Sequence, residues 1–410
     1  MTIIIQKYGG SSLATPELIK NVAKKIAKSH TSGNKLVATV SAMGNSTDDL
    51  LSLASKVTGR PNPRELDVLL STGELQSCSL LAMALEGLGK KSVSLSGAQA
   101  GIQTDSSYGK AKIWSLNSER IENELEKGNI VVVAGFQGIT KGMDTTTMGR
   151  GASDLTAVAL AAELGAERCE IYTDVDGIYT ADPRLVSNAR KLDEIGYEEM
   201  LELASYGAKM NPRSIELGMV YKVPILVASS FEDMPGTLIH QEADMNIRVG
   251  EIRNRVRGIA TEKDVVKITM YSVVDRPGVA ASIFEPLAQA EISVDIIVQN
   301  ASVSGATDLT FTINAADLDN AMDVVRKAAK DLGTENVDSS SGFAKVSIVG
   351  TGMQDSPGYA SRMFGALSEG GINIEMITTS EIRITCIISE DKVGDAARLL
   401  HEVFELEKPE

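Results

Sequence analysis

The chain has 410 residues, 43% hydrophobic, 23% charged and only 4% aromatic, with a formal net charge of −15. That length exceeds one hydrophobic core, so two or three domains are expected, and so acidic a chain is a poor partner for nucleic acid. No apolar run approaches the length of a membrane span, and the shortage of aromatics favours an aliphatic core of helices packed on a parallel sheet.

Ile3-Ile4-Ile5 reads as a strand; Met1 to Gln6 lacks the basic stretch and cleavage site of a signal peptide. It leads into Lys7-Tyr8-Gly9-Gly10-Ser11-Ser12. Two glycines let a ligand approach the backbone, turn N–H groups bind phosphate, and Lys7 adds a point charge; a plain strand-to-helix turn is the competing reading. The sequence has no G-x-x-x-x-G-K-[ST] motif, so this is not a P-loop. Thr15-Pro16 then opens a helix, Thr as cap and Pro in the first turn, with Leu18, Ile19, Val22, Ala23, Ile26 and Ala27 as its buried stripe.

Leu36 to Val40 is the next strand, ending in Ser41-Ala42-Met43-Gly44. Glu65 to Leu70 is helix-like, and Gly73-Glu74 follows it; the Glu74 carboxylate is either a partner for a substrate ammonium or an ordinary surface acid. Buried strands recur at Ile130 to Ala134, Glu170 to Thr173 and Pro224 to Ala228, with a helix at Leu155 to Leu164. This is the rhythm of an α/β domain with a mostly parallel sheet covered on both faces.

Between these elements lie the chemical candidates. In Thr147 to Asp154, Gly149 and Gly151 flank Arg150, and Ser153 or Asp154 is positioned to cap the next helix. A guanidinium there suits a carboxylate gripped by two parallel bonds; a capped loop with a solvated arginine is equally compatible. Thr173 to Arg184 crowds Asp174, Asp176, Gly177, Asp182, Pro183 and Arg184 into one loop at a strand end, the usual ligand edge of an open sheet. It fails as a Ca²⁺ loop, lacking EF-hand spacing, and stands as a Mg-nucleotide loop or an acidic turn. Lys209 alone reads as an exposed lysine. Cys78, Cys169 and Cys386, and His30, His240 and His401, are scattered. They imply no disulfide framework and no metal site, and suit the cytoplasm, with the histidines satisfied or solvated.

From about residue 262 the pattern changes and repeats. Val266-Lys267-Ile268 matches Val346-Ser347-Ile348, Pro277-Gly278 matches Pro357-Gly358, Phe284 matches Phe364, and Ile292-Ser293-Val294-Asp295 matches Ile372-Asn373-Ile374-Glu375, all at one offset. Each copy reads as a ferredoxin-like βαββαβ unit, expected to pair within the chain or between subunits. Asp244 to Arg257 is the linker candidate, and Val256 to Thr261 a strand lent to one repeat. The domains are therefore 1–243, 262–342 and 343–410, the last completed by a strand from 250–261.

Taken in order, Lys7 to Ser12, Ser41 to Gly44, Ser71-Thr72-Gly73-Glu74, Gly149 to Asp154, the Thr173 to Arg184 loop and Gly207-Ala208-Lys209 resemble the successive signatures of aspartokinases of the amino-acid kinase fold. The tail resembles a tandem pair of ACT domains through Asp275-Arg276-Pro277-Gly278, Val294 to Asn300 and Thr379-Ser380-Glu381-Ile382. The resemblance covers essentially the whole chain, and the set of motifs is specific where no single one is. Ala152 stands where the family usually has a second glycine, and Asn211 where it often has histidine.

The resemblance implies ATP-dependent phosphorylation of the L-aspartate β-carboxylate. Lys7, Tyr8, Gly9, Gly10 and Ser41 would hold the phosphates, and Thr173, Asp174, Tyr179, Asp182, Arg184 and Met210 the rest of the nucleotide with its Mg²⁺, which is held mainly by the phosphates. Lys7, Asp174 and Lys209 would be catalytic, Lys209 neutralising the transferring group. Thr47, Glu74, Arg150, Gly151, Ser153 and Asp154 would form the aspartate pocket, Glu74 taking the ammonium and Arg150 the α-carboxylate. Lysine, threonine or both would act as feedback inhibitors at the ACT pair. Asp275, Gly278, Val279, Ala280, Ala281, Ser293, Val294, Asp295, Gln299, Asn300, Asn373, Ile374, Thr379 and Ser380 are the expected contacts, helix N–H groups taking the effector carboxylate and Asp its ammonium. A homo-oligomer through ACT pairing is expected, and an in-frame start near Met234 or Met245 would yield a free regulatory subunit. The rivals are another amino-acid kinase, acting on acetylglutamate, glutamate or a nucleotide, and a non-catalytic amino-acid sensor.

Overall fold

Short β-branched runs such as Ile3-Ile4-Ile5 cannot fill a helix turn economically and pair instead as strands. The computed structural model describes residues 2–205, 210–241, 256–300, 305–334, 336–353 and 357–408. It divides into Met1–Ile178 with Lys191–Val249, and Tyr179–Arg190 with Gly250–Glu410. The linker candidate Asp244 to Arg257 lies almost wholly outside the described residues.

The first unit runs β1 (Ile3–Tyr8), α1 (Pro16–Thr31), β2 (Lys35–Val40), α2 (Ser46–Val57), α3 (Pro63–Gly87), β3 (Ser92–Leu95), β4 (Ile102–Thr104), β5 (Ile113–Leu116), α4 (Glu119–Glu126), β6 (Ile130–Ala134), β7 (Gln137–Ile139), β8 (Thr145–Thr147), α5 (Ala152–Glu163), β9 (Arg168–Thr173), β10 (Glu194–Gly196), α6 (Tyr197–Ser205), α7 (Pro212–Tyr221), β11 (Ile225–Ser229) and β12 (Thr237–His240). Its main sheet has the order β10-β12-β11-β9-β1-β2-β6-β3. It is parallel from β11 to β3, with β12 antiparallel to β11. Tyr8 lies beside Val40 and Tyr172, Ser229 beside Thr173, and Val40 beside Ala134. The carboxyl ends of β11, β9, β1, β2 and β6 therefore finish at one edge. Alternation along β1 sends Ile4 and Tyr8 into a core with Ile19, Val22 and Ile26 of α1 and Cys78, Leu81 and Leu85 of α3. A small sheet, β5-β4-β7-β8, flanks it.

Two expectations change at α3. Gly73 and Glu74 sit inside this 25-residue helix rather than after it. Gly73 is a packing residue: a Cβ there would lie 2.9 Å from the Ala42 side chain, so its absence lets the helix close on the end of β2. By length and composition α3 is also apolar enough to cross a membrane. Serines, threonine, glycine and cysteine break every apolar run yet leave its average hydropathy high. Its inner face, with Asp67, Ser71, Glu74 and Ser77, is buried in the protein. The start of α5 differs as well: Gly151, at φ 75°, takes the N-cap position without a side-chain bond, and Ser153 and Asp154 fall in the first turn.

The second unit comprises β13 (Gly258–Val274), α8 (Val279–Gln289), β14 (Ile297–Gln299), β15 (Ala306–Asn314), α9 (Leu318–Leu332), β16 (Val337–Val349), α10 (Tyr359–Glu369), β17 (Met376–Ser380), β18 (Arg383–Ser389) and α11 (Val393–Val403). Its sheet order is β14-β15-β13-β16-β18-β17. The long strands β13 and β16 serve both βαββαβ modules. Gly258–Glu262 pairs with Lys345–Val349 on the side of the second, and Val265–Met270 pairs with β15 and with the first half of β16. The register shifts between Glu262 and Val265, where Asp264 takes φ 60°. The Tyr179–Arg190 stretch is built into the second module. Ala181 and Val186 join its core with Leu367, Leu400 and Phe404. Ile259 N–H donates to the Thr180 carbonyl (2.7 Å), and Arg398 Nη1 donates to the Leu185 carbonyl. His401 is fully buried against Thr180 Oγ1 at 2.9 Å, not a surface histidine.

Opposite faces of α3 should respond differently to truncation. Leu81→Ala, at a fully buried site, should destabilise the first unit by about 3 kcal/mol in urea unfolding. Met83→Ala, where the side chain is 64% exposed, should stay within about 0.5 kcal/mol.

Candidate active site

The site is built at the strand edge. On β1 the pleat turns Lys7 away from α1 and α3 and toward α5, where its Nζ lies 2.6 Å from Asp154 Oδ1. Both side chains are about nine-tenths buried (11% and 8% exposed), so the cation is stored as half of a shielded pair. Gly9 and Gly10 follow. A Cβ at Gly9 would meet Lys7 Nζ at 3.4 Å, and one at Gly10 would lie 2.8 Å from the Ala42 carbonyl and 3.1 Å from that of Gly44. Gly10 is thus required by the neighbouring loop. Ser41 N–H bonds the Tyr8 carbonyl, and the Ser41 carbonyl accepts from Ser77 Oγ at 2.6 Å, which fixes the end of β2 to α3.

Glu74 projects from α3 into this junction and is 3% exposed. Its Oε1 accepts the Ala42 N–H at 3.2 Å, while Oε2 is buried without a hydrogen-bond partner among the described residues. Burial pushes its carboxyl up to about 7, opposed by the backbone bonds it accepts. An acceptor oxygen held dry and unpaired is suited to a cationic donor from outside the chain.

The Arg150 loop approaches from the small sheet. Gly149 and Gly151 both take positive φ (91° and 75°), which turns the chain sharply on either side of Arg150. Arg150 Nη2 meets Asp48 of α2 at 2.5 Å, next to Thr47, and both side chains are largely exposed. Asp48 escaped sequence reasoning because an acid in a helix's first turn is explained by the helix dipole alone. Asn211 caps α7 and its Nδ2 donates to the Arg150 carbonyl at 3.3 Å, so the unusual asparagine braces this loop. Ala152 is fully buried, and Ser153 packs against Gly135, where a Cβ would come within 2.8 Å of it.

The nucleotide candidates are divided. Thr173 and Asp174 end β9 beside β1 in the first unit, with Thr173 Oγ1 3.0 Å from Asp174 Oδ1 and Gly9 N–H donating to the Tyr172 carbonyl. Tyr179, Asp182 and Arg184 belong to the second unit, where Asp182 and Arg184 bond one another at 2.6 Å. Met210 is buried. Lys209 lies outside the described residues. Among the described residues no three His, Cys, Asp or Glu gather to hold a metal ion.

In the tail, Gly278 (φ 94°) caps α8, with Val279 buried and Ala280 and Ala281 exposed in the first turn. Ser293, Gln299 and Asn300 are exposed, as are Asn373, Thr379 and Ser380, while Val294 and Ile374 pack on the two module cores. Asp275 N–H is bonded to Gly305. Asp295 is not a bare carboxylate awaiting an ammonium: Lys345 Nζ is paired with it and, at 2.8 Å, with Glu262. Lys267 reaches Glu375 at 3.4 Å. Each module thus lends a lysine to the other's acid.

The profile of the amino acid kinase family matches residues 2–229, and that of the ACT domain matches 271–328 and 346–404. The chain is 46% identical over 410 residues to an aspartate kinase of Stutzerimonas stutzeri, covering 100% of this chain and 98% of that one. It is 47% identical over 410 residues to an aspartokinase of Corynebacterium glutamicum, covering 99% and 97%. The crystal structure of the aspartate kinase of Clostridium acetobutylicum, 26% identical, superposes with a TM-score of 0.76 over 98% of this chain and 100% of that one. With a parallel sheet ending at Lys7, Gly9 and Gly10 and a doubled βαββαβ tail, the chain belongs to the amino acid kinase family, among the ATP-dependent aspartate kinases that carry ACT domains.

Proposed function

We propose that the strand-edge site transfers the ATP γ-phosphate to the β-carboxylate of L-aspartate, giving 4-phospho-L-aspartate and ADP. The buried, half-satisfied Glu74 carboxylate carries this reading: it asks for an ammonium, and an α-amino acid brings one. Arg150 exchanges Asp48 for the substrate α-carboxylate, with Thr47, Gly151 and Ser153 around it. Lys7 moves from Asp154 toward the phosphates over Gly9, Gly10 and Ser41. Asp174 and Met210 complete the nucleotide region within the first unit, and Lys209 screens the transferring group. Mg²⁺, bound with ATP, neutralises phosphate charge.

The nucleophile needs no base, since a β-carboxylate with a pKa near ~4 is already ionised at neutral pH. The barrier is repulsion: two unit charges at ~4 Å oppose each other by about 4 kcal/mol at an effective dielectric near 20. Cations fixed around the meeting point offset that repulsion as charge shifts in transfer. Trapping the acyl phosphate with hydroxylamine across aspartate, glutamate and acetylglutamate tests the substrate. A product from glutamate or acetylglutamate but not from aspartate would end this reading.

At the ACT pair, lysine, threonine or both act as feedback inhibitors, as first-step control over lysine, threonine and methionine synthesis would need. Asp275 and the first turn of α8 offer an ammonium partner and free N–H groups, and an effector ammonium at Asp295 would compete with Lys345. The modules' edge strands β14 and β17 support a homo-oligomer through ACT pairing, and an in-frame start near Met234 or Met245 would add a free regulatory subunit. Three buried free thiols suit the reducing cytoplasm.

Lys7→Ala should lower kcat at least ~100-fold and, by stranding Asp154, destabilise the protein by about 3 kcal/mol. The double variant Lys7→Ala/Asp154→Asn should recover stability in thermal melts but not activity. Because Glu74 binds only when ionised, KM for aspartate should rise roughly tenfold per pH unit below about 7 and level off above it. Glu74→Gln should flatten that profile and bind aspartate poorly. Activity titrated with lysine, threonine and their mixture should fall; insensitivity to all three would remove the feedback assignment.

A further inference from the structure

Helix α3 carries a second buried carboxylate two turns before Glu74, on the same face. Asp67 is 1% exposed. Its Oδ2 accepts the N–H of Gly109 at 2.9 Å and of Thr147 at 2.8 Å, and its Oδ1 accepts the Thr147 hydroxyl at 2.7 Å. None of these partners is charged, so this is no salt bridge; the carboxylate serves as a three-point acceptor joining segments distant in sequence. Thr147 ends β8 and enters the Met148-Gly149-Arg150-Gly151 loop. The same junction is drawn in by Ala111 N–H on the Thr147 carbonyl (2.9 Å) and Arg213 Nη1 on the Met148 carbonyl (2.8 Å). Past Thr147 the chain turns at Gly149 and Gly151, where positive φ gives latitude. Asp67 thus fixes the strand end from which the Arg150 loop departs and ties it to α3, whereas Arg213 and Asn211 hold the loop from α7.

We propose that Asp67 is a positioning residue for amino-acid recognition: it ties the Arg150 loop to the helix that bears Glu74, so one rigid element sets the distance between the groups that grip the α-carboxylate and the ammonium. This rests on the assignment of Arg150 and Glu74 to aspartate. The geometry defines which substitution keeps the function. An asparagine can place Oδ1 where Oδ2 stands, accepting both N–H groups, and donate from Nδ2 to Thr147 Oγ1. Alanine leaves two buried N–H groups unpaired and the loop untied.

The test uses the full chain and the hydroxylamine-trapping assay, with aspartate and ATP varied separately. Asp67→Ala should raise KM for aspartate roughly 10- to 100-fold while KM for ATP stays within about twofold. Asp67→Asn should remain within about threefold of wild type, and Thr147→Val should fall between. Three results overturn the proposal: an Asp67→Ala enzyme with unaltered KM for aspartate, one in which both KM values rise together, or an Asp67→Asn enzyme as impaired as Asp67→Ala. Should Asp67→Ala fail to fold, an unaltered KM for aspartate in Thr147→Val overturns it. Wild-type enzyme inactive on aspartate would overturn the substrate assignment and this proposal with it; an active wild type with an unaffected Asp67→Ala overturns the proposal alone.

Discussion

The interaction on which the catalytic unit depends is the shielded pair between Lys7 and Asp154, 2.6 Å apart. The protein carries a net charge of −15 and takes anionic reactants, so its own field works against binding. A cation fully open to water would be screened, and one buried alone would lose its charge. Pairing it with an acid on the first turn of α5 holds it out of water at the strand edge where, on the proposed assignment, phosphates arrive. That arrangement follows from the pleat of β1, which commits Tyr8 to the core with α1 and α3 and Lys7 to the opposite face. The rest of the edge is shaped around the same point: Gly9 and Gly10 leave room beside it, and α3 closes on the end of β2 through the missing side chain of Gly73.

Glu74 shows the other side of this economy. Keeping one carboxylate oxygen buried and unpaired opposes folding whenever the group is ionised, on the order of 3 kcal/mol above pH 7. Its folded-state pKa lies above its unfolded one, so the stability it allows at low pH is lost progressively from about 4.5 and is gone once the pH passes about 7. Such a cost is tolerated where a ligand completes the bonding. On the proposed assignment the site is least comfortable when empty, and an aspartate ammonium would relieve it.

Much of the architecture was legible from pattern. Leu36 to Val40, Ile130 to Ala134 and Glu170 to Thr173 are short, β-branched and bounded by polar turns, and they appear as β2, β6 and β9 within a residue or two. The doubled tail was legible because a repeat testifies twice. What stayed hidden depends on tertiary partners. The three-residue strands β4, β7 and β8 have no period to detect. Gly73 reads as a helix stop until Ala42 is seen against it. Asp67 and Asp48 look like ordinary helix acids, since nothing local says that one is buried among N–H groups and the other faces Arg150. The sharing of β13 and β16 between modules escapes any scheme that cuts the chain at the repeat boundary.

The Tyr179–Arg190 stretch limits how freely the ACT tail can travel. Ala181 and Val186 sit in the core of the second ACT module, yet they are encoded well upstream of it. A polypeptide begun at Met234 or Met245 would hold every ACT strand and still lack part of its own interior, leaving an apolar slot beside Leu400 and Phe404. Such a fragment would be drawn to any chain able to lend it those residues. A chimera grafting only the tail onto another enzyme would inherit the same hole. Modularity that looks complete in the order of domains is, in the packing, borrowed from a segment encoded upstream of it.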